Sequence, residues 1–509
     1  MLKREIYSAF EDVVGAENIS EDPAILESYT RTTRGVSPRT EAVLLPKETK
    51  EVQAIVKLCN RYKIQFKASS THWGPAGFAP GPNAIKMDLR RMNRILEINE
   101  KNMYAVVEPY VIGAQLQAEL MKRGLNCSVT GAGANCSALP LAAHEGLGHS
   151  CQSMSYGERN LLAVEWVAPD GEIIRFGSLG STGDWSCGDG PGPSLRGIIR
   201  GHVTPLGGLG VFTRAAQKLY HWPGPSIFPI EGVSPHYAPN QIPEGFMIRY
   251  ISFPSIDARF EALRKIGESE IAFQVMCFAP SMVAANIATN NQEDMEYLER
   301  ISKSVQGPGL QIIVAGNSPR DFEYKKRALE QIMEETDGKS LELMEDPVIG
   351  GGQLWRCIRI TGSIRETLRA TGVFGGVLGG FDVLSLMLEY IKQVAPLKAD
   401  LMKRGLVLDD GAIPFGQPVE HGHYGHSEML IRFDPKFKGT PEALGQLAGE
   451  ATNIAFNGKY GVLNSINGDE RHDKFGPLAS NYHLWLRGIK KSFDPGGASL
   501  ADSHITVKE

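Results

Sequence analysis

Two segments limit what this chain can fold into: "KASSTHWGPAGFAPGP", Lys67 to Pro82, and "TGAGANCSALPLAAHEGLGHS", Thr130 to Ser150. Both are rich in Gly, Ser and Ala and lie in a part of the chain that otherwise alternates short strands and helices. Small residues let backbone N–H groups approach a ligand closely, and consecutive N–H groups can hold an anion such as a diphosphate. Either segment alone reads as an ordinary turn. Together in one β-rich lobe they point to a nucleotide cofactor. No GxxxxGK[ST] occurs, and no GxGxxG joins a strand to a helix, so neither a P-loop nor a Rossmann site is supported.

The surrounding pattern gives an α+β chain. "TKEVQAIVKLCNRYK" has helical apolar spacing with Thr49 as N-cap, and "IQFKAS" reads as the next strand. "LLAVEWVAPDGEIIRFG" is a hairpin about a Pro-Asp-Gly turn. The prolines of "HWPGPSIFP" mark a lobe boundary near residue 224, and two strand-then-helix units follow, "FMIRYISFPSIDARFEALRKIGES" and "QIIVAGNSPRDFEYKKRALEQIMEET". With 509 residues, two or more lobes are expected.

A net charge of −5 carries no basic nucleic-acid footprint. Glycines and an aspartate interrupt "GVFGGVLGGFDVLSLML", so it reads as a buried turn or cavity wall rather than a membrane span. The N-terminus lacks the apolar core of a signal peptide, which places the protein in the cytoplasm. Seven cysteines stand singly with no CxxC, as expected of reduced thiols without an iron–sulfur cluster.

The stretch "VEHGHYGHSE", Val419 to Glu428, holds three of the twelve histidines. It reads as metal ligands, as an acid–base cluster or as a solvated loop. "SEMLIRFDP" alternates as a strand, so Glu428 and Leu430 share a face. In "LWRCIRITGSIRE", Arg356, Arg359 and Arg365 are candidates for binding a substrate carboxylate.

The run from "LPKETKEVQAIVKLCNRYKI" through "KASSTHWGPAGFAP", "MDLRRMNRILEINEKNMYAVVEPYVIGAQLQ", "YGERNLLAVEWVAPDGEIIRFG" and "PLGGLGVFTRAAQKL" resembles the FAD-binding domain of the vanillyl-alcohol oxidase / p-cresol methylhydroxylase superfamily. The nearest likeness is to its D-2-hydroxyacid (lactate and glycolate) dehydrogenase branch. The resemblance implies an FAD-binding domain of the p-cresol methylhydroxylase type at 1–224, an α+β cap (substrate) domain at 225–440, and a segment, 441–509, that returns to the FAD domain. It places the cofactor on Ser69, Ser70, Thr71, His72, Trp73 and Gly74, on Gly131, Gly133, Ser137 and Ala138, and on Gly208, Gly210 and Val211. The usual first loop is richer in glycine and has an arginine in front. Some distant members bond a histidine covalently to the flavin where His72 stands. His144 and His149 are further candidates to face the flavin.

In the dehydrogenase branch a motif HxGDGNxH precedes a strand ending in FDP. Counting back from Phe433-Asp434-Pro435 puts its two histidines on His421 and Glu428. A later SGEHG-like motif falls on "NGDER", putting Asp469 and Glu470 at its Glu and His. The resemblance thus implies a divalent metal (zinc, iron or manganese) on His421, Glu428 and Asp469. Since the residue types differ, a metal-free acid–base cluster is the other reading, with His423, His426, Glu470 and Arg359 as catalytic residues. The expected activity is oxidation of a hydroxy compound, a hydroxyacid first, by hydride transfer to flavin N5. Electrons would leave to an acceptor outside the chain, which would act as a homodimer or in a redox complex. The rival expectations are an oxygen-using phenolic or alcohol oxidase, a non-redox enzyme resembling alkyl-glycerone-phosphate synthase, and a flavin subunit that relays electrons in a larger complex.

Overall fold

A computed structural model describes residues 2–32, 35–36, 38–72, 81–131, 133–143, 147–176, 182–183, 185, 196–200, 208–228, 230–233, 236, 239, 241–360, 374–407, 415–434, 436–460, 468–500 and 505–507. The N-terminal lobe begins with helix α1 (Arg4–Val14) and a four-stranded sheet of β1 (Ile19–Ser20), β2 (Ala42–Leu44), β3 (Gln65–Ser69) and β4 (Ala84–Asp88), in the order β1-β2-β4-β3. β2 and β3 both run parallel to β4. Parallel strands need a crossover, supplied between β2 and β3 by α2 (Thr49–Tyr62). This helix buries Val52, Ile55, Val56 and Cys59, one stripe at helical spacing. Thr49 is not its N-cap; Glu48 holds that position. The Thr49 hydroxyl instead donates to buried Glu165 Oε1 at 2.7 Å.

Glu165 belongs to the second, antiparallel sheet. Its strands are β5 (Ile95–Asn99), β6 (Tyr104–Val107), β7 (Leu161–Val167), β8 (Ile173–Arg175) and β9 (Val211–Lys218), in the order β8-β7-β9-β6-β5. β7 and β8 are the hairpin expected about Pro169-Asp170-Gly171. Helix α3 (Gly113–Met121) packs Leu116 and Leu120 into the same core as Trp166.

The cap lobe is a layer of seven strands in two hydrogen-bonded groups. Strands β10 (Phe246–Ser252), β11 (Gln274–Met276), β12 (Gly309–Ala315) and β13 (Lys339–Ser340) order as β11-β12-β10-β13. Strands β14 (Phe374–Asp382), β15 (Phe415–Val419) and β16 (Tyr424–Arg432) order as β14-β16-β15. The Cys277 N–H donates to Gly416 C=O at 3.0 Å and joins the groups at β11 and β15. One face of the layer is apolar. Val275, Ile312 and Val314 pack under α4 (Ile256–Ser269) and α5 (Pro319–Glu335). Met429 and Ile431 pack under α7 (Leu384–Lys403) and α8 (Thr440–Gly458). On the other face, α6 (Pro347–Arg359) covers Ile248 and Ile313, while the β15–β16 end looks toward the N-terminal lobe.

After the cap the chain returns to the first lobe through α9 (Asp469–Phe475) and α10 (Tyr482–Phe493). Leu486, Ile489 and Phe493 of α10 pack on the Trp166 core. Beyond it, Phe66 N–H donates to Ala498 C=O at 2.9 Å and Phe66 C=O accepts Leu500 N–H at 3.1 Å, so residues 498–500 lie beside β3. Buried Lys490 holds this return together. Its Nζ donates to Asp494 Oδ2 and to Ser499 C=O, each at 2.6 Å, and also to Gly208 C=O.

Candidate active site

The two small-residue segments meet. Ser69 ends β3 opposite Asp88, and the chain then turns through His72 at φ +56°. The His72 ring lies edge-on to Tyr29, with Nε2 2.7 Å from Ser69 Oγ. Thr71 Oγ1 accepts the Ser137 N–H at 3.2 Å, which ties the first segment to the second. Ser137 Oγ donates to Pro109 C=O, and Ala138 N–H donates to Val111 C=O at 2.8 Å. Gly131 N–H donates to Leu147 C=O at 2.7 Å, and Gly133 has φ +133°. Gly208 and Gly210 face the returning tail: Gly210 N–H donates to Ser499 Oγ at 2.8 Å, and Val211 pairs with Val167. Gly210 is obligatory, because a Cβ there would lie 2.2 Å from Val167 O at φ +84°. Trp73, Gly74, His144 and Arg365 lie outside the described residues.

The second segment continues into the cap. Residues 148–153 insert between the ends of β11 and β15. Gly148 C=O accepts Gln417 Nε2 at 2.8 Å, and His149 C=O accepts Val275 N–H at 3.4 Å. Cys151 and Gln152 carbonyls accept the N–H groups of Glu420 and His421 at 2.8 and 3.0 Å. Ser153 Oγ donates to Phe273 C=O at 2.9 Å. A salt bridge between Arg159 and Glu420 closes the rim, and the Arg159 guanidinium lies 5.1 Å from the Tyr424 ring centre. Gln417 pairs with His426 across β15 and β16. Side chains two apart share a strand face, so Gln417, His426, Glu428 and Arg432 form one polar row facing the wedge. His426 is buried, with Nε2 3.6 Å from Glu428 Oε2.

The expected metal set does not assemble. Among the described residues, no group of three or more His, Cys, Asp and Glu side chains could hold a metal ion. His421 Nδ1 faces Glu270 Oε2 at 4.0 Å, at the end of α4, and Glu428 faces His426. Asp469 accepts from Arg487 at 3.0 Å and from Thr506 in the returning tail. The physical reason is the bend at Glu420 and His421, both at positive φ. It turns His421 onto the wedge's outer side while His426 and Glu428 continue on the sheet. His423 is exposed at the bend between β15 and β16, and Glu470 is exposed in the first turn of α9. Arg359 ends α6, where its guanidinium donates to Gln117 Oε1 and to Ala114 C=O, bridging cap and first lobe. Sequence reasoning missed Gln417 and Arg432. Continuing the Glu428–Leu430 alternation two residues further finds Arg432, which is buried.

Burial pushes His149 down to about 3 and His72 to about 4, so both imidazoles are neutral at pH 7. For His72 the Lys86 charge adds to burial while Asp88 opposes it. A depressed histidine contributes stability that is full above its unfolded value of 6.5 and is lost as pH falls toward the folded value. For fully buried His149 the contribution is on the order of 3–5 kcal/mol. Urea unfolding from pH 7 to pH 4 should therefore show a shallower stability loss in His149→Gln than in the wild type. Equal slopes would contradict this assignment.

Residues 40–177 match the family model described as "FAD binding domain". Over 497 residues, covering 96% of this chain and 89% of the other, the chain is 22% identical to "Probable D-lactate dehydrogenase, mitochondrial" of Danio rerio. Residues 40–177 thus form a region similar to an FAD binding domain. Over 502 residues, covering 97% of each chain, it is 25% identical to "Uncharacterized FAD-linked oxidoreductase MT2338" of Mycobacterium tuberculosis (strain CDC 1551 / Oshkosh). It is also 30% identical over 219 residues to "1'-carboxy-chondrochloren decarboxylase" of Chondromyces crocatus, a match spanning 41% of this chain and 38% of that protein. In fold it is similar to substrate-bound p-cresol methylhydroxylase, with TM-score 0.74 and 17% identity over 98% of this chain and 95% of the other. No helix among the described residues is long and apolar enough to cross a membrane.

The FAD implied by the matched domain would lie at the first of the joined segments. Gly148 has no room for a side chain, since an added Cβ would lie 2.5 Å from Val129 O, and at Gly131 one would be tight against His149 Nε2 at 3.3 Å. His149 Nε2 is a buried polar atom with no hydrogen-bond partner among the described residues. Ser69, Ser70 and Thr71 would hold the cofactor; the N–H groups of Gly131, Gly133, Ala134, Cys136 and Ser137 are already bonded within the protein.

Proposed function

We propose that the protein oxidises a hydroxy compound, a hydroxyacid first, and that His426 with Glu428 takes up the hydroxyl proton. The observation that carries this reading is the His426–Glu428 pair, a buried imidazole 3.6 Å from a carboxylate on the cap face that looks onto the wedge. FAD, when bound, supplies the hydride acceptor at N5. The chain's residues do the rest. Glu428 orients the imidazole, and an imidazole at this position can accept a proton from a bound hydroxyl. Gln417 fixes the row against the first lobe through Gly148. Arg432 adds a buried guanidinium further along the same strand. The full-length similarity to a probable D-lactate dehydrogenase supports the hydroxyacid as first choice.

Anaerobic mixing of purified holoenzyme with a panel of 2-hydroxyacids and phenolic alcohols tests the reading. Bleaching of the flavin band by a hydroxyacid is expected. If no member of the panel bleaches it, the reading fails. Bleaching by phenolic alcohols alone, with peroxide formed in air, would make the protein a phenol oxidase.

A further inference from the structure

We infer that the outward face of α10, with the turn before it, docks on the surface of an anionic lipid bilayer. A helix packed on a core by one face normally shows polar residues on the other. α10 does not. Leu486, Ile489 and Phe493 pack inward on the Trp166 core, while Leu484 and Trp485 are 57% and 76% exposed. Leu478, in the turn Gly476–Ala479 that packs against α10, is 65% exposed. The outward face is also grooved. Gly488 has open space where a side chain would stand. A depression of about 440 Å³ runs past it, lined by Leu484, Trp485, Ile489, Ser492 and Phe493.

Size and charge select lipid over protein as the cover. Leu478, Leu484 and Trp485 together offer on the order of 400 Å² of apolar surface, about half of the ~800 Å² per partner that a stable protein interface buries. Such a patch suits shallow insertion at a bilayer surface, where Trp is enriched and aliphatic side chains reach the acyl boundary. The whole chain has a net charge of −5, yet no acidic residue occurs from Gly476 to Phe493. Lys490 turns inward to Asp494, and Arg487 is paired with Asp469 and Asp473. Lys491 stays exposed. It follows Leu484 by seven residues, two turns along the same helix face. On neighbouring α9, exposed Arg471 and Lys474 outnumber exposed Glu470 once Asp473 is paired. A cationic rim around an apolar patch attracts anionic headgroups. One leaflet is engaged, so no spanning helix is required.

Co-sedimentation of the FAD-loaded protein with vesicles tests this without any substrate, and so independently of the proposed oxidation. The vesicles are phosphatidylcholine alone or mixed with phosphatidylglycerol. Wild type should bind the mixed vesicles several-fold more tightly than phosphatidylcholine alone. Trp485→Ser combined with Leu484→Ser should bind the mixed vesicles about tenfold less tightly than wild type. Lys491→Glu should weaken binding to the mixed vesicles several-fold and leave binding to phosphatidylcholine unchanged. If the double variant does not fold, Leu478→Ser decides, and it should bind several-fold less tightly with the wild-type unfolding midpoint. No binding of wild type to either vesicle, equal binding to both, or variants within twofold of wild type overturns the proposal. A wild-type dimer that Trp485→Ser converts to monomer in sedimentation velocity also overturns it, and makes this face a contact between two copies.

Discussion

Lys490→Met should lower unfolding stability by about 3–5 kcal/mol, the usual effect of breaking a buried ion pair. Lys490 and Asp494 are 4% and 2% exposed. Removing the ammonium leaves the Asp494 carboxylate buried with only the Ala498 and Ser499 N–H groups to satisfy it. The carbonyls of Gly208 and Ser499 lose their donor at the same time. Replacing both partners, Lys490→Met with Asp494→Leu, should cost less than Lys490→Met alone, since no orphan charge remains. Urea unfolding of the two variants checks this. A double variant less stable than the single one would mean that the carbonyl contacts, and not the charge, dominate. FAD should also be lost in Lys490→Met, because Gly210 shares Ser499 with the same knot.

His426→Gln should slow anaerobic flavin reduction by about 10²–10⁴-fold while FAD content stays unchanged, the range for loss of a general base. Glu428→Gln should have a smaller effect, because the imidazole remains and loses only its orienting carboxylate. Stopped-flow bleaching with the hydroxyacid found in the screen measures both. A rate for His426→Gln within threefold of wild type would move the proton acceptor elsewhere.

The first lobe was legible because its signals are local. The helical stripe Val52, Ile55, Val56 and Cys59 and the Pro-Asp-Gly turn each determine a neighbouring element, and both stand as expected. Thr49 was misplaced because a threonine at a helix start can cap the helix or reach outward. Here the buried carboxylate of Glu165, 116 residues away, takes its hydroxyl. The histidine stretch shows the same limit more sharply. Alternation along "SEMLIRF" puts Glu428 on one strand face, and the same rule places His426 and Arg432 beside it. His421 lies seven residues before Glu428, an odd separation, and a bend at two positive-φ residues intervenes. Motif counting measures distance along the chain and takes no account of such a bend. Asp469 could not be placed by any local signal, because its partners come from α10 and the tail.

The wedge has a further consequence for how the protein is made. Residues 148–153 leave the ribosome long before the strands that receive them. Ser153 waits 120 residues for Phe273, and Gly148 waits 269 for Gln417. Until then the emerging N-terminal half presents a row of carbonyls with no strand to meet them, and contacts this distant in sequence form slowly. Truncated chains that end before Val419 should therefore be captured by chaperones or pair wrongly with one another, and the long-range wedge would set the pace of maturation.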